Sequence, residues 1–537
     1  MGVPSYFSYI IRNYPNIIRD WSYFLQNQNF QFHHLFMDCN SIIYDAFHSL
    51  DLNEVSHLSI DDRIINKVCA NINEYISYIK PTKTLYISFD GVAPLAKMEQ
   101  QRTRRHRSHF LSSLQDKEAK WDTCAITPGT EFMRKLTARI RYDFKEGYKN
   151  IYKTQNIVIS SSDEPGEGEH KLFQYVRNNG VELNDNAAVY GLDSDLIMLS
   201  LYHLKYCKNM FIFRDTPEFF KSKLIFNKSN YDIHFLDIAK LSTSIQSEMS
   251  CSSNSDRRVY DYVFMCYLLG NDFLPHFPSL NIRTHGMGVL LDVYRMKLGN
   301  YYDKFFIDEK NRIIWQNVKL FIYELVKNEK DFLTKEYMHR EQYYKNKLHQ
   351  KKMDEEERVN NLPLFYRTEE MYICPQQDEW ENRYYKSLFH TNRVNNNSIK
   401  DICINYLEGL EWVHYYYTTD CLHWKWKYKY HYPPLLSDLV RSIPNNEYSF
   451  IENNRDLRKY ENKPFTDTLQ LCYVLPKTSF HLLGKKGLEI TKRNKEYYVD
   501  SFEFQWAFCR FFWESHVLLP EIKTTTLENW NKNILII

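Results

Sequence analysis

Seven acidic residues fall in five short motifs that are otherwise apolar or small. HHLFMDCN carries Asp38, LYISFDG carries Asp90 and IVISSSDEPGEGEHKL carries Glu167 and Glu169. VYGLDSDLIML carries Asp193 and Asp195, and YLLGNDFLP carries Asp272. One acid in such a place is most simply a solvated loop carboxylate or a helix cap. Five sites of the same kind, each at the end of an apolar run, ask for a shared reason. Brought together, the carboxylates would repel one another and rise in pKa. Hard cations resolve that conflict, and carboxylate oxygens suit Mg²⁺ or Mn²⁺. Two such ions, about 3.5–4 Å apart, form the device for in-line phosphodiester cleavage. No Ser/His/Asp triad is evident.

Beyond Asp90 the chain turns basic: GVAPLAKMEQQRTRRHRSH. Lys97, Gln101 and Arg104 recur at i, i+4 and i+7, one face of a helix, with Arg105 beside them and Arg102 and Arg107 extending the patch. Guanidinium forks and a lysine point charge suit phosphate oxygens, so the face reads as a pocket for a terminal phosphate or a backbone. The plain alternatives are a solvated basic face or a nuclear-import cluster.

The elements that must position these residues are legible as alternating runs. Strands are predicted at His34–Met37, Thr84–Phe89, Ile157–Ser160 and Ala187–Leu192, each short, apolar and closed by a polar turn. Helices are predicted at Asp61–Ile79, Lys97–Leu114, Thr130–Lys149 and Gly166–Asn178. The alternation gives an α/β domain with a mostly parallel sheet, whose ligands sit beyond the carboxyl ends of the strands. In DEPGEGEHK, Ser162 or Asp163 is the expected cap and Pro165 sits in the first turn. Gly180 ends the helix. Glu167 and Glu169 would then lie at its positive end, yet i, i+2 residues of a helix do not face the same way. After about residue 300 the texture changes. Lys and Glu interleave over 327–358, which predicts a long exposed helix with little core, and 359–397 reads as loop. Residues 400–440 are strongly aromatic, and 460–537 mix strand-like and helical runs.

Composition narrows the classes. The chain has 537 residues, 43% hydrophobic and 25% charged, enough to bury a core. The net charge of +2 makes any nucleic-acid footprint local. The 11 cysteines include no C-x-x-C pair, which argues against a zinc ribbon or disulfide framework and for a reducing compartment. No 18-residue apolar run predicts a membrane span, and MGVPSYF has neither a signal segment nor a myristoylation pattern.

The order MGVPSYF, DCNSIIY, FDGVAPLAKMEQQRTRRHR, ITPGTEFM, PGEGEHK, YGLDSDLIML and LLGNDFLPHFPSL resembles the XRN-type 5′→3′ exoribonucleases. The likeness is dense over residues 1–290 and resumes more loosely over 407–439. It implies a PIN/flap-nuclease-like catalytic domain over 1–310, a charged helical and loop connector over 311–398, and a second, mixed and aromatic-rich region over 399–537 that packs on the first and completes the channel. It implies that Asp38, Asp90, Glu167, Glu169, Asp193, Asp195 and Asp272 hold two Mg²⁺ or Mn²⁺ ions and carry catalysis. Lys97, Gln101, Arg104 and Arg105 would take the 5′-monophosphate of single-stranded RNA. The implied activity is processive decay to nucleoside 5′-monophosphates by a cytoplasmic or nuclear monomer, with decapping or RNA-processing partners. Two positions depart from the pattern or leave a choice. The family usually has a His six residues after the first acid, stacking on the terminal base; here it is Tyr44, whose ring can also stack. The opposite wall would be Trp424 or Trp426, with Trp426 favoured. The long extensions of the large members are not evident, which predicts a compact core enzyme. A flap-type DNA nuclease shares the acidic logic, but no G-x-G hairpin of its duplex-binding motif is found. A non-catalytic RNA-binding scaffold would predict a missing acid, and none is missing.

Overall fold

The computed structural model describes residues 2–26, 29–51, 56–114, 121–144, 153–215, 233–249, 255–348 and 353–536. A seven-stranded sheet organises the first half, in the order β1-β7-β6-β5-β2-β3-β4. The strands are β1 (Ile18–Arg19), β2 (His34–Asp38), β3 (Thr84–Ser88), β4 (Asn156–Ser160), β5 (Asn186–Tyr190), β6 (Asn209–Asp215) and β7 (Ile233–Asp237). β2 to β6 pair in parallel, with Asp38 opposite Ser88 and His34 opposite Ala187; β7 and β1 close one edge antiparallel. All four predicted strands form within a residue or two. β1, β6 and β7 extend the sheet beyond them.

Both faces of the sheet are covered, so alternate residues of a strand enter different cores. Leu35, Met37, Leu85 and Ile87 pack against the helices Asn40–His48, Ile60–Ile79 and Glu131–Asp143. Phe36, Tyr86, Ala187 and Val189 pack against Gly168–Asn178, Asp195–His203, Ile238–Met249 and Asp256–Cys266. The chain leaves β2 toward β3 and leaves β5 toward β6, in opposite directions across the sheet. The carboxyl ends of β2 and β5 therefore flank a topological switch point, where such sheets hold their ligands. The predicted helix Thr130–Lys149 is observed as Glu131–Asp143, and residues 145–149 lie outside the described part of the chain.

The second half shares the core of the first. The cluster that begins at Val3 and Tyr6 runs on through Trp412, Tyr416, Trp426 and Phe508. A further cluster joins Ala93, Leu95 and Met98 to Leu469, Leu475, Ile522 and Trp530. Two expectations change here. The helix Glu329–Leu348 is not merely an exposed rod, because it buries Glu329, Leu333, Glu336, Tyr337 and Arg340. Arg340 donates Nε and Nη2 to Glu370 at 2.9 and 2.6 Å, both side chains 1% exposed. Residues 359–397 are not loop but carry helices Leu362–Phe365, Thr368–Ile373 and Trp380–Phe389; polar composition hid their short apolar faces. Ten cysteines are free thiols, and Cys251 lies outside the described residues. Among the described residues no helix is long and apolar enough to cross a membrane.

Candidate active site

The carboxyl ends of the strands deliver the acids. Asp38 is the last residue of β2, and Asp90 lies two residues past β3. Glu167 caps the helix Gly168–Asn178, and Glu169 lies in its first turn. Asp193 precedes the helix Asp195–His203, which Asp195 opens, and Asp272 follows the turn Tyr267–Leu269. The expected cap at Ser162 or Asp163 is corrected: the helix starts at Gly168, and Pro165 sits before it. That shift settles the orientation of the two glutamates. Glu167 is extended, at φ −73° and ψ 147°, so the i, i+2 rule of a helix does not apply to the pair.

The contacts are close. Gly168 donates its N–H to Asp90 Oδ1 at 2.7 Å, and a Cβ on Gly168 would stand 2.5 Å from Asp38 Oδ1. Lys97 Nζ lies 2.5 Å from Glu167 Oε2 and 2.7 Å from Asp272 Oδ2. A Cβ on Gly2 would meet Asp195 Oδ1 at 1.9 Å. Burial, and then Asp90 and Asp193, push the Asp38 carboxyl well above the usual range. Burial, Asp195 and Asp193 do the same to Glu169. Burial and Asp272 push Asp195 up to about 7. Burial works in the same direction on Asp272, but the Lys97 ammonium overrides it and holds that carboxyl far below its ordinary value.

Among the described residues no three His, Cys, Asp or Glu side chains stand as a ready-closed cation site, and the acids here are spread around the Lys97 ammonium. The donor set nonetheless fits hard divalent cations. Asp38 Oδ1, Glu169 Oε2 and Asp195 Oδ1 are buried oxygens without a hydrogen-bond partner, and buried carboxylates that repel one another gain from a cation.

The basic face runs along the helix Leu95–Leu114. Lys97 points into the carboxylates. Gln101 is buried and accepts from Gln470 Nε2 at 3.1 Å. Arg104 and Arg105 are half-buried, and Arg105 Nη1 is a buried donor with no partner. Arg102 and Arg107 do not extend this patch. They are buried, and donate to Pro520 O at 3.1 Å and Ser515 O at 2.6 Å, holding the C-terminal segment against the helix.

Tyr44 is half-buried on the helix Asn40–His48, which follows Asp38. Trp426 is not available to a base: it is 1% exposed, lies on Trp412 at 5.2 Å and donates its indole N–H to Glu408 Oε2. A tryptophan two residues apart in an aromatic run is sorted by long-range packing, here against Trp412. Trp424 is half-buried, and its carbonyl accepts from Leu95 N at 2.9 Å, at the start of the basic helix.

Other residues shape the site without an acidic signal. Asn40 Oδ1 accepts from Asp90 N at 3.1 Å. Tyr416, from the second half, donates to Glu167 Oε1 at 2.8 Å. Lys171 Nζ donates to Ser161 O at 2.9 Å and Glu164 O at 3.2 Å, which ties down the acidic loop. The loops after β3 and β4 also pair, Gly166 N to Val92 O and Gly91 N to Gly166 O, each at 2.8 Å. Gly91 has no room for a side chain, since its Cβ would fall 1.7 Å from Glu164 O. Gly91→Ala must part the two loops, and is expected to cost about 1–3 kcal/mol as an overpacked site. A denaturant midpoint that does not fall would contradict that contact.

The XRN 5′-3′ exonuclease N-terminus matches residues 1–216, and the Xrn1 helical domain matches 252–377 and 375–534. The chain belongs to the XRN family of 5′-3′ exonucleases. Among its XRN relatives, 5′-3′ exoribonuclease 1 of Saccharomyces cerevisiae is 26% identical over 90% of this chain and 40% of its own length. The human 5′-3′ exoribonuclease 1 is 26% identical over 97% of this chain and 33% of its own length. The 5′-3′ exoribonuclease 2 of Eremothecium gossypii is 30% identical over 63% of this chain and 42% of its own. The chain thus matches less than half the length of each of these XRN proteins. The solved catalytic core of Rad2 in complex with DNA substrate covers 85% of this chain at 13% identity and a TM-score of 0.34, too distant a likeness to bear on the XRN site.

Proposed function

We propose that the protein is a processive, metal-dependent 5′→3′ exoribonuclease that hydrolyses 5′-monophosphorylated single-stranded RNA to nucleoside 5′-monophosphates, in RNA decay. The observation that carries this reading is the shared helix Leu95–Leu114: Lys97 reaches the carboxylates while Arg104 and Arg105 lie two turns further on. Seven residues of helix rise about 10 Å. A 5′-phosphate held at Arg104 and Arg105 would set the distance to the acids, so that a phosphodiester near the chain end reaches them. That ruler favours release of single nucleotides over internal cleavage.

Asp38, Asp90, Glu167, Glu169, Asp193, Asp195 and Asp272 would hold two Mg²⁺ or Mn²⁺ ions, which supply Lewis-acid stabilisation and an activated water for hydrolysis. Gln101, Arg104 and Arg105, with the Lys97 ammonium, would bind and orient the terminal phosphate. Tyr44 and Trp424 would flank the first base. A cytoplasmic or nuclear place, a monomeric state and decapping or RNA-processing partners belong to the same proposal.

The test compares end-labelled RNAs with a 5′-phosphate, 5′-hydroxyl or 5′-triphosphate. The first is expected to be degraded to mononucleotides and the others spared. Cleavage of flap DNA with no action on 5′-phosphate RNA would favour a structure-specific DNA nuclease instead. Excess EDTA is expected to stop the reaction, and added Mg²⁺ or Mn²⁺ to restore it. Turnover that persists in chelator would exclude the metal-dependent reading.

A further inference from the structure

We propose that Tyr416 is a positioning residue that fixes Glu167 in the carboxylate cluster, held there by an aromatic column built from the second half of the chain. The proposal rests on the reading of that cluster as a divalent-cation site.

The phenol of Tyr416 donates to Glu167 Oε1 at 2.8 Å, while Lys97 takes Oε2 at 2.5 Å. Glu167 caps its helix, and no side-chain cap bond restrains it. Of the contacts to its carboxylate, the phenol is the neutral one. A cation entering the cluster competes with the Lys97 ammonium by charge; it has no such quarrel with a hydroxyl donor. Tyr416 can therefore orient one oxygen and leave the other to the metal, which is how outer partners commonly tune carboxylate ligands.

The ring is not free to move. His170 stacks on it with centroids 3.7 Å apart, and its Nδ1 lies 3.1 Å from the Tyr416 carbonyl oxygen. Trp412, one turn earlier on the helix Asn396–Thr418, also stacks on it at 4.7 Å, and Trp426 continues the stack at 5.2 Å. Phe273, next to Asp272, meets both Trp412 and Tyr416 edge-on. The two tryptophans of the column are anchored by polar contacts, Trp412 Nε1 to His423 O at 3.0 Å and Trp426 Nε1 to Glu408 Oε2 at 3.2 Å. Trp426 thus serves the acids from behind, through Trp412 and Tyr416, instead of meeting a base.

Tyr416→Phe keeps the column and removes the donor. Mn²⁺ binding is measured by calorimetry on the whole chain without RNA, so no turnover enters the readout. Tyr416→Phe is expected to bind about 10-fold or more weakly, the usual scale for loss of an outer partner. Tyr384→Phe is the control. It removes an equally buried hydroxyl, which donates to Pro433 O at 2.9 Å far from the acids in sequence, and is expected to bind as wild type. Wild-type affinity in Tyr416→Phe overturns the proposal, and so does an equal loss in both variants, which would mark a packing effect. If the wild-type chain itself takes up no Mn²⁺, the cation reading of the cluster falls and this role of Tyr416 falls with it.

Discussion

Asp193→Asn combined with Asp195→Asn is expected to lower hydrolysis of 5′-phosphate RNA by at least about 10³-fold while RNA binding stays near wild type. Lewis-acid stabilisation by bound metal contributes several kcal/mol, and each 1.36 kcal/mol is a factor of ten. The basic residues Arg104 and Arg105 lie outside the substitution, so affinity measured in EDTA is expected to hold. The stability of the variant makes the argument sharper. Burial and Asp272 already push the Asp195 carboxyl up to about 7, a sign that its charge is unwelcome among its neighbours. At position 195 asparagine keeps the volume and removes the disfavoured charge. In EDTA Asp195→Asn alone is therefore expected to unfold at the same temperature as wild type or higher. In Mg²⁺ the order reverses, because a ligand at 100 times its Kd stabilises the wild-type fold by about 2.7 kcal/mol. Full activity in the double variant would reject the acidic site. A melting order that does not change with Mg²⁺ would separate the acids from the metal.

Strand ends are what the sequence shows well, and orientation is what it shows poorly. HLFMD and TLYIS are five-residue apolar runs that stop at a polar turn, so β2 and β3 and the acids beyond them follow from period and punctuation. β1 has two residues, too short for any period, and exists through its pairing with β7. NMFIFRD is as apolar as the other strands, but nothing local says that β7 returns antiparallel beside it. The same limit governs the site. A two-residue shift in where the helix begins, from Gly166 to Gly168, decides whether Glu167 and Glu169 can share a cluster, and the cap at Glu167 is held by pairing between loops 75 residues apart, Gly91 with Gly166. Arg102 and Arg107 belong to the same basic run as Arg104, yet they turn toward Pro520 and Ser515, whose approach no motif announces. Tyr416 sits in a run of three tyrosines, YYY, and only its contact with Glu167 sets it apart.

Arg104→Ala tests the other half of the site, and its expected effect is selective. Arg104 is half-buried, and its neighbour Arg105 keeps a buried Nη1 without a partner, a donor waiting for an acceptor. A terminal phosphate offers charged oxygens to such forks, and loss of one hydrogen bond to a charged group costs about 2 kcal/mol, or a factor of about 30. A 5′-hydroxyl end makes no such contact, so its slow turnover is expected to change little. The measured quantity is therefore the ratio of kcat/KM for 5′-phosphate over 5′-hydroxyl RNA, which should fall about 30-fold. Arg104→Lys keeps the charge but not the planar fork, and is expected to fall between alanine and wild type. Lys97 is the poorer choice for this experiment, because its ammonium also bridges Glu167 and Asp272, and its loss would disturb the acids and the phosphate together. An unchanged ratio in Arg104→Ala, with both rates reduced alike, would move the phosphate away from this helix and remove the ruler that limits the product to one nucleotide.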